Sequence, residues 1–317
     1  MLQLTCGWNW ARQNKYPQSP VLFLTIISGK YFLKTLDLLP IAPTTMRLNE
    51  LNKLTVSLKS TAKMPVLFLG HGSPMNAIEI NEFSRTWQDI GKSLLHPSAV
   101  LCVSAHWETR GTFVTAMEKP QTIHDFGGFP KDLFDVEYPA PGDPRLAVET
   151  KNAITKTAVE PDQNWGLDHG CWSVMKHLFP AADIHVVQLS LDYSQPARYH
   201  FELAGELSAF REKGILIIGS GNMVHNLRVI DWHKPDTGFD LAEEANAKLK
   251  KLILADYYKE LINYNSLGRE VELAVPTPEH FLPLIYALGL KEKNEEISTF
   301  NDKLVMGSIS MTSFKIG

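Results

Sequence analysis

From Met64 onward, short runs of β-branched and aliphatic residues alternate with longer stretches whose apolar residues recur at helical spacing. Short continuous apolar runs mark strands buried on both faces of a sheet, and their alternation with helical stretches predicts an α/β domain. Strands are predicted over Val66–Leu69, Val100–Ser104, Val114–Met117, His185–Leu191, Ile215–Ile218 and Leu304–Met311. Four helices carry start signals. Asp143-Pro144 opens one to about Val159, and Ser194 with Pro196 opens one to about Lys213. Asp240 begins one reaching about Tyr258, and Thr277-Pro278 opens one over His280–Leu288. The Gly/Pro-rich stretch Pro120–Pro144 is too long for an ordinary connection, and long irregular segments of this kind are often functional lids.

Residues 1–63 read differently. They hold two apolar runs, Val21–Ile27 and Leu36–Ile41, followed by a polar Asn/Lys/Ser/Thr segment. We expect a poorly ordered extension over 1–63 ahead of one catalytic domain over 64–317. Acidic residues in it are few (Asp37 and Glu50), so a transit peptide is the other reading.

Composition narrows the class of partner. Of 317 residues, 44% are hydrophobic and 21% charged, the balance of an ordinary globular chain. The net charge of −4 offers no basic excess for a phosphate backbone, so no nucleic-acid partner is expected. The longest apolar runs are far shorter than the ~20 residues that span a bilayer, so no membrane partner is expected either. Three cysteines without CxxC spacing argue against a disulfide framework or thiolate zinc site and suit a reducing, cytoplasmic setting. A monomer is expected, although no residue pattern sets the oligomeric state.

The candidate chemistry lies in the histidines. His71, His106 and His225 each follow a predicted strand, where open α/β sheets gather their ligands, and His280 falls in the first turn of a predicted helix. Neutral imidazoles from several loops suit zinc, iron, copper or nickel, and an open position makes such a set catalytic. His124 and His169 stand beside Asp125 and Asp168, amid Phe126, Phe129, Trp165 and Trp172. Two readings are open there: proton-passing histidines beside an apolar wall for a flat substrate, or aromatics that simply pack the loops. His96, His177, His185, His200 and His233 read as structural or solvated. Gly219-Ser-Gly-Asn222 lacks the fingerprint of a phosphate-binding turn, and Ser73 lacks that of a nucleophile elbow. From the residues alone, a zinc-dependent hydrolase and a non-catalytic zinc-binding protein stay open beside a redox enzyme.

Seven ordered motifs carry a resemblance: Gly70-His-Gly-Ser-Pro-Met75, Ser104-Ala-His-Trp107, Ile123-His-Asp-Phe-Gly-Gly-Phe-Pro130, Tyr138-Pro-Ala-Pro-Gly142, Leu167-Asp-His-Gly170, Gly221-Asn-Met-Val-His-Asn226 and Pro276-Thr-Pro-Glu-His280. From about Met64 to Gly317 the chain resembles the 4,5-DOPA extradiol dioxygenase group of the class III extradiol ring-cleavage dioxygenases. The resemblance implies a single α/β domain with a central mixed β-sheet flanked by helices. It also implies one mononuclear divalent metal at the positions matching His71, His106, His225 and His280. His169 matches the acid/base, and His124 lines the substrate side. The activity implied is O2-dependent cleavage of a catechol such as L-DOPA to a muconic semialdehyde-type product, with both oxygen atoms incorporated. Fe(2+) is expected for that chemistry and Zn(2+) for a resting form. Protocatechuate-type relatives have a glutamate as third ligand, where this chain has His280 with Glu279 beside it. They also use a histidine near His225 as acid/base, so His225 is either ligand or proton carrier.

Overall fold

The computed structural model describes residues 63–317, so the expected extension lies, save for Lys63, outside the described residues. The strands are β1 (Val66–Gly70), β2 (Ala99–Thr109), β3 (Thr112–Thr115), β4 (Val159–Asp162) and β5 (His185–Asp192). They continue with β6 (Ile215–Gly221), β7 (Ile297–Phe300), β8 (Leu304–Val305), β9 (Ile309–Ser310) and β10 (Ser313–Ile316). Helices are α1 (Glu82–Ser93), α2 (Lys131–Phe134), α3 (Pro144–Ala153), α4 (His169–Leu178) and α5 (Ala197–Gly205). After them come α6 (Ala209–Glu212), α7 (Asp240–Leu254), α8 (Tyr258–Ile262), α9 (Arg269–Ala274) and α10 (Leu282–Gly289).

One mixed sheet has the order β4-β3-β5-β2-β6-β1-β10-β7, and its middle strands β5, β2, β6 and β1 are parallel. The period of two in a strand sends alternate side chains to opposite faces. Val66, Phe68, Leu101, Val103, Ile215 and Ile217 join one core with Leu203 of α5, Leu249 of α7 and Leu284 of α10. Leu67, Leu69, Val100, Cys102, Leu216 and Ile218 join the other, with Trp87 of α1 and Trp172 of α4. Each fully buried aliphatic side chain contributes roughly 1.5–3 kcal/mol, so the two-sided burial makes these strands the rigid frame of the molecule. The fold is thus the expected α/β domain, a large mixed sheet between helices.

Local expectations differ from the structure in instructive places. β2 does not stop at Ser104 but runs to Thr109. It pairs with β6 through Ser104, while its register with β5 shifts between Val103 and Glu108, so His106 sits inside an irregular stretch of strand. The helix from Pro144 ends at Ala153, because Thr155 and Lys156 donate their backbone N–H groups to the Glu206 carboxylate. Its predicted end, Val159, begins β4. The stretch from Ser194 to Lys213 forms two helices, α5 and α6, parted after Gly205. Leu304–Met311 divides into β8 and β9 at a turn where Met306 and Gly307 have positive φ. His280 precedes its helix: α10 starts at Leu282, with Pro283 in its first turn. No helix among the described residues is long and apolar enough to cross a membrane.

Candidate active site

The carboxyl ends of β2, β6 and β1 lie side by side, and the site is built on them. His71 follows Gly70 directly, and its N–H donates to the Gly221 carbonyl at the end of β6 at 3.1 Å. His280 reaches the same place because Gly221 has no side chain. A Cβ there would stand 2.2 Å from the His280 carbonyl oxygen, which instead accepts the Asn222 N–H at 2.9 Å. At Gly170, in the first turn of α4, a Cβ would lie 2.5 Å from Ser104 Oγ and 2.9 Å from His106 Cδ2. Two glycines thus admit two imidazoles.

His71, His106 and His280 each present one ring nitrogen within 4.8 Å of the others. His71 Nε2 and His106 Nε2 face each other at 3.1 Å. The second nitrogen of each ring points at an oxygen. The Ser220 hydroxyl gives its hydrogen to the Gly170 carbonyl, so it accepts from His71 Nδ1 at 3.1 Å. His106 Nδ1 lies 3.3 Å from Asp125 Oδ2, and His280 Nδ1 lies 3.3 Å from Glu279 Oε1. With the Nδ1 protons turned to these oxygens, each ring keeps an Nε2 lone pair for something electron-poor. Two such lone pairs at 3.1 Å repel unless a cation stands between them, so the donor set fits a borderline divalent metal.

Electrostatics favour the same reading. Burial, followed by the neighbouring imidazoles, holds His71 and His280 well below the ordinary histidine range. His106 is lowered to about 3 by burial and then by His169, and His225 to about 4 chiefly by burial. The rings are therefore neutral donors at physiological pH, the form that binds metal.

The partnerships of the two aspartates cross over relative to the sequence. Asp125, beside His124 in the chain, turns to His169 and His106. Its Oδ1 accepts the His169 N–H at 2.9 Å and lies 2.9 Å from His169 Nδ1. Burial would raise its carboxyl, yet the two imidazoles pull it below the usual carboxylate range. Asp168, beside His169, instead caps α4 by accepting the Cys171 N–H at 3.0 Å. It also accepts from Ser104 Oγ at 2.6 Å and Gln188 Nε2 at 2.7 Å. Burial lifts it to about 6. His124 stays one layer out, donating Nε2–H to the Val136 carbonyl at 2.9 Å within an aromatic group of Phe126, Phe134 and Trp172. Phe126 meets the His169 ring edge-on, with centroids 5.5 Å apart, and Phe129 packs behind it. Trp165 stacks on Trp107 and donates its indole N–H to Asp168 Oδ2 at 3.4 Å.

Of the six histidines singled out, then, five form one cluster. His169 packs on His106 at 3.9 Å between centroids. His225 stacks parallel on His280 at 3.5 Å and belongs to a second donor group with Glu279 and His280. The residues missed from sequence are Ser220 and Gln188, neutral side chains with no motif of their own. Glu279 and Asp125 were visible only as neighbours of histidines.

Residues 65–311 match the family model of the catalytic LigB subunit of aromatic ring-opening dioxygenase. A 4,5-DOPA dioxygenase extradiol of Escherichia coli (strain K12) is 48% identical over 263 residues, spanning 81% of this chain and 96% of the relative. A protein of the same description from Beta vulgaris is 32% identical over 262 residues, spanning 78% and 94%. Among solved structures, that of an uncharacterized Escherichia coli K12 protein superposes with a TM-score of 0.71 at 43% identity, covering 80% of this chain and 100% of that one.

Proposed function

This chain belongs to the family of the catalytic LigB subunit of aromatic ring-opening dioxygenases and is an extradiol ring-cleavage enzyme; we propose that it opens catechols such as L-DOPA with O2 at one divalent metal. The observation that carries the reading is the convergence of three imidazoles with their Nδ1 atoms facing oxygens. His71, His106 and His280 would hold the cation, with His225 as a fourth ligand or a proton carrier. When bound, Fe(2+) would orient the diol and mediate electron flow between ring and O2, whereas Zn(2+), lacking a redox change, would give a resting form. His169 carries the acid/base role. With Nδ1 beside Asp125, its Nε2 is the nitrogen left to hold a proton for the substrate. Phe126, backed by the buried Trp172, supplies an apolar side for the ring, and His124 braces that side through Val136 rather than touching the donor set.

The test is anaerobic loading with Fe(2+), then admission of O2 and L-DOPA. A yellow ring-opened product with matching O2 uptake is expected. Failure of the iron-loaded protein to take up O2 with any member of a catechol panel would sink the proposal.

A further inference from the structure

Asp125 places its two carboxylate oxygens against two rings from two elements. Oδ2 lies 3.3 Å from Nδ1 of His106 on β2, and Oδ1 lies 2.9 Å from Nδ1 of His169 at the start of α4. The same Oδ1 accepts the His169 backbone N–H at 2.9 Å, which anchors the carboxylate to the first turn of α4. Its side chain is 6% exposed, so water does not compete for these positions. No other acidic side chain lies at this distance from both rings among the described residues. Asp125 comes from the long Pro120–Pro144 segment, which also supplies Phe126.

We infer that Asp125 is a positioning residue that sets the tautomers of His106 and His169 together, so that one carboxylate prepares both the metal-binding nitrogen and the proton-carrying nitrogen. The inference rests on the metal and acid/base roles proposed above. Neither ring contact is aligned as a hydrogen bond, so the carboxylate acts through its charge: a negative oxygen at 2.9–3.3 Å favours the hydrogen on the ring nitrogen beside it and leaves the lone pair on the far nitrogen. Asparagine in its place offers one accepting oxygen and one donating NH2. If that oxygen keeps the His169 N–H, the NH2 faces His106 Nδ1 and drives the His106 proton onto Nε2, the atom needed by the metal.

The experiment uses the full, metal-free chain with 15N-labelled histidine, read by long-range 1H–15N spectra, in wild type, Asp125→Asn and Asp125→Glu. In wild type, His106 and His169 are expected to carry hydrogen on Nδ1. In Asp125→Asn, His106 moves to the Nε2–H tautomer while His71, held by Ser220, keeps Nδ1–H. Competition with a chelator should then show Zn(2+) affinity lower by about 10–100-fold, the size of effect usual for a partner one layer behind a metal ligand. Reloaded with Fe(2+), the variant should lose about 10–100-fold in kcat with KM changed less than about threefold. Asp125→Glu keeps the carboxylate and should hold both wild-type tautomers, which tests the idea even if the asparagine variant fails to fold. Unchanged tautomers with Zn(2+) affinity within about twofold of wild type overturn the inference. So does a second bound cation in wild type that Asp125→Asn removes and Glu279→Gln leaves in place, since Asp125 would then be a ligand itself. If wild type opens no catechol, the functional reading fails, while the tautomer and Zn(2+) measurements still decide the role of Asp125.

Discussion

Each metal-facing imidazole has one nitrogen committed before any metal arrives, and the committing oxygen differs: a hydroxyl for His71, carboxylates for His106 and His280. Loss of a ring and loss of its orienting partner should therefore look different. His71→Ala and His280→Ala are expected to purify without bound metal. His169→Ala should keep the metal and lose about 100-fold or more in ring opening, the usual weight of a general acid/base. Elemental analysis beside a catechol assay separates these, and full activity in His71→Ala would reject the site. Gly170→Ala tests the packing that admits His106. The added Cβ would press on Ser104 Oγ and His106 Cδ2, and overpacking of this kind costs about 1–3 kcal/mol. Thermal unfolding of the metal-free variant reads that loss, and an unchanged midpoint would mean the first turn of α4 yields freely. His71, His106 and His225 were legible in the sequence because each follows a strand-like run, and His280 because a Thr-Pro helix start precedes it. Ser220 was not, because a serine that orients a ring looks in sequence like any serine in a turn.

At the scale of elements, β2 and α4 decide the site. β2 holds His106 where its pairing with β5 is interrupted, and the irregularity turns the ring toward the neighbouring strand ends. α4 begins at His169, with Asp168 as its cap. That helix escaped sequence reading for a physical reason: nine of its ten residues are buried, so no polar face betrays its period. Asp168 ties α4 to Ser104 of β2 and Gln188 of β5. Asp168→Ala removes the cap, about 1 kcal/mol, and leaves buried donors unpaired, about 1–3 kcal/mol more. A drop of about 2–4 kcal/mol in denaturant-unfolding stability is expected, and a loss below about 0.5 kcal/mol would show that the network is replaceable.

Across the whole molecule, the sheet buries imidazoles that resist protonation, and this sets how stability depends on pH. His200, away from the metal-facing cluster, is lowered by burial to about 4 from an ordinary 6.5. Between those values the unfolded chain binds a proton that the folded chain refuses, so stability falls as pH drops from about 6.5 toward 4. The share from His200 alone is about 3 kcal/mol. His71, His106, His225 and His280 act in the same direction, and a metal bound only to the folded state opposes them until its ligands are protonated. Urea midpoints of the metal-free protein should therefore fall steadily from pH 7.5 to pH 5. A flat profile would contradict the buried, neutral state of these rings.

The chain by itself determined the α/β class, the buried parallel strands and the histidines at or near their carboxyl ends, because hydrophobic runs and the turns after them are local properties of the sequence. Only the tertiary structure decided that β2, β6 and β1 lie side by side. It also decided that Asp125 serves His169 and His106 rather than its neighbour His124, and which nitrogen of each ring faces the others. Those outcomes depend on hydrogen-bond partners brought from distant parts of the chain, and no local pattern of residues encodes which acceptor an imidazole will meet.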